Sequence, residues 1–406
     1  MRKIELLSPA GDLNKLKAAI SYGADAVYIG GSKFGLRASS KNFDFEEIRE
    51  GLEFAHTRGK KVYVTCNIIP HNDDLNGLEE YITELYNLGV DALIVSDAGV
   101  FMTAKKTCPD LELHISTQSG NTNYANAIFW HEMGAKRIVL ARELSFDEIK
   151  EIREKIPSDM EIESFVHGAM CISYSGRCLM SSYMTHRDAN RGECAHPCRW
   201  KYALVEENRP GEYFPIEEDE RGTYFFNSKD LCMIEYIPEL VKSGITSLKI
   251  EGRVKSEYYV ATVTRAYRKA LDSYIKDPAN YVFNPEWLDE LKKVSHRHFT
   301  TGFYNDKPDE KSQNYETGSY VREYDFVGVI EGYDCEKKIA YVQVRNKLQV
   351  GDEIEIMRPL KDNECVKISE IISQDGENIQ AAPTPMQIVG IPMNKVDKGD
   401  FVRKKR

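Results

Sequence analysis

The sequence predicts an α/β protein built on a (β/α)8 TIM-type barrel, with a cysteine-rich insertion between strands 7 and 8 and a small C-terminal antiparallel β-barrel. Three observations lead there. Short apolar runs alternate with amphipathic stretches at a spacing of roughly 20 to 30 residues, the rhythm of parallel strands joined by crossover helices. Eight such runs suit a closed barrel better than an open sheet. The seventh and eighth stand about 80 residues apart, far more than a crossover helix needs, so the stretch between them is an insertion.

In chain order the strand candidates are Ile4–Ala10, Ala26–Gly31, Lys61–Asn67, Ala92–Asp97, Glu112–Thr117, Arg137–Arg142, Glu161–His167 and Ser247–Gly252. Each is followed by helix-like sequence. Several turn polar at their carboxyl ends, as in Thr65-Cys66-Asn67, Ser116-Thr117-Gln118, Ala141-Arg142-Glu143 and Lys249-Ile250-Glu251-Gly252-Arg253. Those ends build the catalytic mouth of this fold, and the insertion, from Gly168 to about Asp230, must sit over it. Within it, Glu206 to Arg221 carries seven acidic side chains with Pro and Gly and reads as a solvated loop.

Arg253 to Lys276 predicts a long helix, which completes a barrel domain over residues 1–304. A polar connector over 305–325 follows. Residues 326–406 then change character: Phe326–Ile330, Ile339–Arg345, Glu353–Met357 and Val366–Ile371 alternate with turns in the manner of a small antiparallel barrel. The final Arg403-Lys-Lys-Arg406 reads as a solvated tail.

With 42% hydrophobic and 29% charged residues over 406 positions, the chain can bury a large core. A formal net charge of −10 argues against coating nucleic acid by bulk electrostatics, so any RNA contact must be local. No run approaches the roughly 18 apolar residues that cross a bilayer, and the start shows no export signal. The expectation is a cytoplasmic protein with no membrane partner.

Nine cysteines in a long chain of this kind point to metal ligands or catalytic thiols rather than disulfides. Cys66, Cys108, Cys335 and Cys365 are scattered and read as packing residues. Cys171, Cys178, Cys194, Cys198 and Cys232 are separated by six, fifteen, three and thirty-three residues. Zinc knuckles bring paired C-x2-4-C clips, and only Cys194 with Cys198 comes near one. An iron–sulfur cluster accepts varied spacing among four thiolates. Gly176 and Gly192 shortly precede Cys178 and Cys194, letting backbone approach a bulky group. Spacing alone leaves three readings open: a metal or cluster site, a cysteine nucleophile, and inert thiols.

The stretch from Glu163-Ser-Phe-Val-His-Gly-Ala-Met-Cys171 through Gly176-Arg-Cys178-Leu-Met-Ser181 resembles the signature of the collagenase-like peptidase family U-32. Agreement extends along the chain, through Leu7-Ser-Pro-Ala-Gly, Gly35-Leu-Arg-Ala38, Ser116–Asn123, Asn190–Tyr202, Lys229-Asp-Leu-Cys232 and Lys249–Arg253. The resemblance implies two activities. One is collagen degradation. The other is oxygen-independent hydroxylation, by members that carry a 4Fe-4S cluster on four cysteines and act on tRNA uridine, on ribosomal RNA cytidine or in ubiquinone synthesis. The layout is most similar to the branch that hydroxylates the wobble uridine of tRNA at position 5 with prephenate. Carried over by position, the cluster ligands are Cys171, Cys178, Cys194 and Cys232, with Cys198 as the alternative. The partners implied are tRNA and a small dicarboxylate, with room for a second subunit of the same family.

A peptidase would have His167 and Cys171 as its one compact base and nucleophile, since no His-Glu-x-x-His helix or Gly-x-Ser-x-Gly elbow is present. That dyad leaves the other thiols unexplained, and a histidine ending a buried strand is often simply structural. For a dicarboxylate, guanidinium forks are needed. Arg142 and Arg253 at strand ends, Arg177 beside Cys178, and Arg37 after the second strand are the candidates. For RNA, Arg191, Arg199, Trp200, Lys201 and Tyr202 alternate charge with aromatic faces, as an unpaired base and its phosphate require.

Overall fold

A computed structural model of the chain describes residues 4–35, 42–171, 173–174, 177–200, 203–204, 214–215, 229–305, 321–359 and 361–406. Arg37, Lys201, Tyr202 and most of the acidic stretch 206–221 lie outside the described residues.

Eight parallel strands close on themselves: β1 (Glu5–Pro9), β2 (Ala26–Gly30), β3 (Lys61–Cys66), β4 (Ala92–Val95), β5 (Glu112–Ile115), β6 (Arg137–Val139), β7 (Glu161–Ala169) and β8 (Ser247–Ile250). Each pairs with the next, and β8 joins β7 to β1 to complete the ring. The strands are buried on both faces, because helices cover them outside and side chains fill them inside. Leu7, Ala26, Tyr28, Tyr63, Ala92 and Ile94 form a separate cluster within the barrel.

The crossover helices α1 (Leu13–Ser21), α2 (Phe45–His56), α3 (Leu78–Leu88), α4 (Ala98–Thr107), α5 (Tyr124–Glu132) and α6 (Phe146–Lys155) follow the first six strands in turn. Side-chain caps start five of them. Asp12, Asp44, Asp97, Asn123 and Ser145 each accept a hydrogen bond from a first-turn backbone N–H.

After β7 the chain enters the insertion, whose helix α7 spans Met180–Thr185. It returns as a short strand, Asp230–Cys232, antiparallel to β7. Two helices, α8 (Ile237–Lys242) and α9 (Glu257–Lys276), flank β8, and α10 (Pro285–Lys292) follows. Helix α9 begins later than the expected Arg253. Gly252 holds a positive φ of 155°, the next residues turn, and Ser256 caps the helix by accepting from Tyr259 N–H at 3.2 Å.

Residues from Tyr324 onward form an eight-stranded antiparallel sheet that wraps its own apolar core as a half-barrel. The expected basic tail is instead its strand Phe401–Lys405. Arg403 is fully buried, donating to Glu290 at 2.7 Å and Glu355 at 2.8 Å. These carboxylates come from α10 and from the sheet, so Arg403 ties the two domains together. Tyr22 on the barrel reinforces that contact through its hydroxyl to the Met357 carbonyl at 2.9 Å. Of the scattered cysteines, Cys66 and Cys108 are buried as expected, whereas Cys335 and Cys365 are exposed on the second domain. Among the described residues, no helix is long and apolar enough to cross a membrane.

Candidate active site

The carboxyl ends of the barrel strands and the insertion enclose a cavity of about 250 Å³. Its barrel side is made by Tyr28, Thr65, Asn67, Ser116, Gln118, Arg142, Phe165, Lys249, Glu251 and Arg253, its insertion side by Tyr174, Cys178, Met180, Asn190, Cys194 and His196–Cys198. Cys171, just beyond β7, lies between the two sides.

The floor is aromatic and cationic. Lys249 reaches inward from β8, 4% exposed, and its Nζ donates to Glu163 Oε1 at 2.6 Å. It also lies 4.5 Å from the Tyr28 ring centroid and 5.2 Å from that of Phe165. The Arg142 guanidinium stacks on the same Phe165 ring at 3.8 Å. Glu163 is fully buried and also accepts from Arg137 at 3.0 Å, and Arg137 in turn reaches Glu5 at 2.6 Å. Burial raises the Glu163 pKa, but the charges of Lys249, Arg137 and His114 outweigh it and hold the group at about 2. The carboxylate is therefore ionised and Lys249 has a fixed counterion.

Arg253 crosses the mouth from β8 towards β2 and β3. It is 4% exposed and donates to Thr65 Oγ1 at 3.2 Å and Asn42 Oδ1 at 3.0 Å. Gly30 makes this passage possible, because a Cβ there would lie 2.2 Å from Arg253 Nη2. Asn67 donates to Ser116 Oγ at 3.1 Å, linking the ends of β3 and β5.

Four of the five clustered cysteines line this cavity: Cys171, Cys178, Cys194 and Cys198. None is in a disulfide. The His196 backbone N–H points at Cys194 Sγ across 3.4 Å, the kind of N–H donor that tunes a sulfur ligand. Among the described residues, no three His, Cys, Asp or Glu side chains converge closely enough to hold a single metal ion. The thiols are distributed around the cavity wall, and they are the set that could hold an iron–sulfur cluster.

Cys232 stands elsewhere. It is buried, paired in register with His167 across the antiparallel strands, and it borders a different cavity. Burial pushes its thiol up to about 12. Tyr267 of α9 holds this pair, its hydroxyl 4.0 Å from Cys232 Sγ and 3.5 Å from His167 Nδ1. His167 is enclosed by Tyr259, Tyr267 and Phe299. Burial, then the nearby His296 and Lys255, lower its pKa to about 3, so the ring is neutral. It does not line the cavity that holds Cys171.

Arg142 and Arg253 both line the cavity, while Arg177 does not line it and is exposed near Gly120. The sequence reading missed Lys249 and Glu163 as a site pair. The signal was present: an isolated lysine in Ser-Leu-Lys249-Ile and an isolated glutamate in Ile-Glu163-Ser-Phe, opposite charges inside apolar runs that must neighbour in a closed barrel.

Fold and site define a (β/α)8-barrel protein with a thiol-walled, cation-floored cavity at the catalytic end. Residues 11–314 match peptidase family U32 and residues 322–403 match the peptidase family U32 C-terminal domain. The chain belongs to that family. It is 45% identical to the tRNA hydroxylation protein P1 of Bacillus subtilis (strain 168), over 97% of this chain and 93% of that one. To the tRNA hydroxylation protein P of Escherichia coli (strain K12) it is 40% identical, over 97% of this chain and 94% of the other. The 23S rRNA 5-hydroxycytidine C2501 synthase of the same E. coli strain is 35% identical over 98% of this chain and 55% of its own length.

Proposed function

We propose that this chain is an RNA hydroxylase that works without dioxygen, modifying the wobble uridine of tRNA at position 5, with prephenate as the co-substrate and a 4Fe-4S cluster as the redox group. The observation that carries this reading is the sharing of one barrel-mouth cavity by four thiols and two arginines, in a chain whose relatives named above are RNA hydroxylation proteins.

Cys171, Cys178, Cys194 and Cys198 would hold the cluster. Cys198 takes the fourth place in this reading, over Cys232, because Cys232 borders a different cavity. When bound, the cluster supplies one-electron chemistry beside the cavity. The chain's own groups do the rest. Arg142 and Arg253 present planar forks to a dicarboxylate, and Lys249 holds a positive charge at the floor. Phe165 and Tyr28 offer ring faces to a base or to a cyclic co-substrate. Asn67, Ser116 and Gln118 supply amide and hydroxyl partners for a base edge.

A peptidase would need a base within reach of its nucleophile. His167 is enclosed in an aromatic box outside the cavity and is held neutral by burial, so the Cys171 dyad has no support in the geometry. The test is nucleoside mass spectrometry of tRNA from a deletion strain, with iron and sulfide analysis of anaerobically purified protein. Loss of 5-hydroxyuridine-type nucleosides, restored by the wild-type gene, is the expected result. Normal tRNA nucleosides together with gelatin cleavage by the purified chain would overturn it.

A further inference from the structure

The insertion has a second face that the hydroxylase reading leaves unused. Cys178 and Met180 turn into the cavity, but the residues between and after them face outward. Leu179 is 52% exposed, Tyr183 81% and Met184 49%. Tyr174, which also borders the cavity, is 53% exposed. Large apolar side chains so exposed, and gathered in one short stretch, are costly in water unless a partner covers them.

The charge around them identifies the partner. From Cys171 to Trp200 the sequence holds four arginines against two carboxylates, a local excess of positive charge in a chain of net −10. Arg177 and Arg187 are exposed on either side of α7. Helix α7 is anchored from behind, with Ser181 buried and its Oγ accepting from Ala195 N–H at 3.0 Å. It also packs on the turn Pro197–Arg199 that leads into exposed Trp200. A rigidly backed aromatic face flanked by guanidinium groups is what unpaired bases and their phosphates require.

We propose that the outer face of α7, centred on Tyr183, is a stacking platform for single-stranded RNA, receiving unpaired loop nucleotides that flank the base entering the cavity. This rests on the reading of tRNA as substrate and adds where the loop lies. The platform borders the cysteine wall directly, through Tyr174, Cys178 and Met180, so a nucleotide stacked there is adjacent to one in the cavity.

The experiment is fluorescence anisotropy of the full chain, anaerobically purified, with a labelled anticodon stem-loop RNA and with a fully paired RNA duplex. Tyr183→Ala should weaken stem-loop binding about tenfold, the loss of roughly one stacked base. Tyr183→Phe, which keeps the ring, should bind like the wild type, and duplex binding should be equal in all three. Because Tyr183 makes little contact with the fold, iron content and melting temperature should not move. Wild-type stem-loop affinity in Tyr183→Ala overturns the proposal. So does unchanged RNA affinity with a changed sedimentation coefficient, which would make the face a protein interface. Absence of stem-loop binding by the wild-type chain would fell the tRNA reading along with it.

Discussion

Replacing Lys249 with methionine tests whether the cavity floor depends on its buried ion pair. The methionine keeps most of the volume and removes the charge, leaving Glu163 fully buried without its nearest counterion. Breaking one half of a buried pair costs about 3–5 kcal/mol. The lower end applies here, because Arg137 still donates to Glu163 at 3.0 Å. The pKa of Glu163 sets the scale for its whole charge environment, of which Lys249 is the largest favourable part, ahead of Arg137 and His114. It falls from an ordinary 4.5 to about 2, and at about 1.4 kcal/mol per unit that depression is worth roughly 3 kcal/mol at neutral pH. With an unfolding entropy of about 2 cal/mol/K per residue over a barrel domain of roughly 300 residues, such a loss should lower the Tm by about 5 °C.

The pH dependence has a fixed sign. The folded pKa lies below the unfolded one, so the contribution is complete above about pH 4.5 and is lost as pH falls towards 2. Thermal unfolding followed by circular dichroism at pH 7 and at pH 3 should therefore show a wild-type advantage over Lys249→Met that is large at the first and reduced at the second. The double variant Lys249→Met/Glu163→Gln should recover part of the loss, since no uncompensated carboxylate remains. A single variant as stable as the wild type at pH 7, or a double variant no better than the single, would refute the reasoning.

Other substitutions probe the remaining parts of the site. Anaerobically purified Cys171→Ala, Cys178→Ala, Cys194→Ala and Cys198→Ala should each lose iron and visible absorption, while Cys232→Ala keeps both; the reverse result for Cys198 and Cys232 would return the fourth ligand to β7's partner strand. Arg142→Lys should raise the KM for prephenate about tenfold, because an ammonium cannot reproduce a bidentate fork stacked on Phe165; unchanged prephenate dependence would remove Arg142 from the anion site. His167 is neutral in the fold and takes up a proton on unfolding below its ordinary 6.5, so its contribution is present above that pH and lost on acidification towards 3. Urea unfolding of His167→Gln at pH 7 and pH 5 should show a smaller acid loss than the wild type, and an identical loss would mean that the ring is not buried as described.

The barrel was legible because each strand announces itself as an apolar run between amphipathic stretches, and because closure follows from counting eight of them. Local chemistry limited the rest. The start of α9 depends on the Gly252 turn and the Ser256 cap, which hydrophobic periodicity from Arg253 onward does not register. Arg403 reads as part of a basic tail until Glu290 and Glu355 are brought to it from distant positions. The Lys249–Glu163 pair depends on the register between β7 and β8, including the irregularity at Lys249/Ile250. The clustering of five thiols was legible in the sequence, and four of them line one cavity, but sequence spacing carries no information about which wall each one faces.

That last distinction follows from how the insertion is tethered. It leaves the barrel at the end of β7 and returns antiparallel to the same strand, with Asp230 opposite Ala169, Leu231 opposite Gly168 and Cys232 opposite His167. The two ends are thus pinned side by side, so the intervening chain must fold back over the mouth. The pairing also fixes what lies on the far side of β7. Gly168 adopts a φ of 108°, and a Cβ there would come within 2.6 Å of the Glu251 carbonyl oxygen, so glycine is what lets β7 pass this close to the end of β8 on its way to Cys171. His167, one residue before Gly168, is paired with Cys232 beside Tyr267. Cys232 thus borders a different cavity from Cys171, and the thiol that joins Cys171, Cys178 and Cys194 at the mouth is Cys198, four residues along from Cys194 on the same insertion wall.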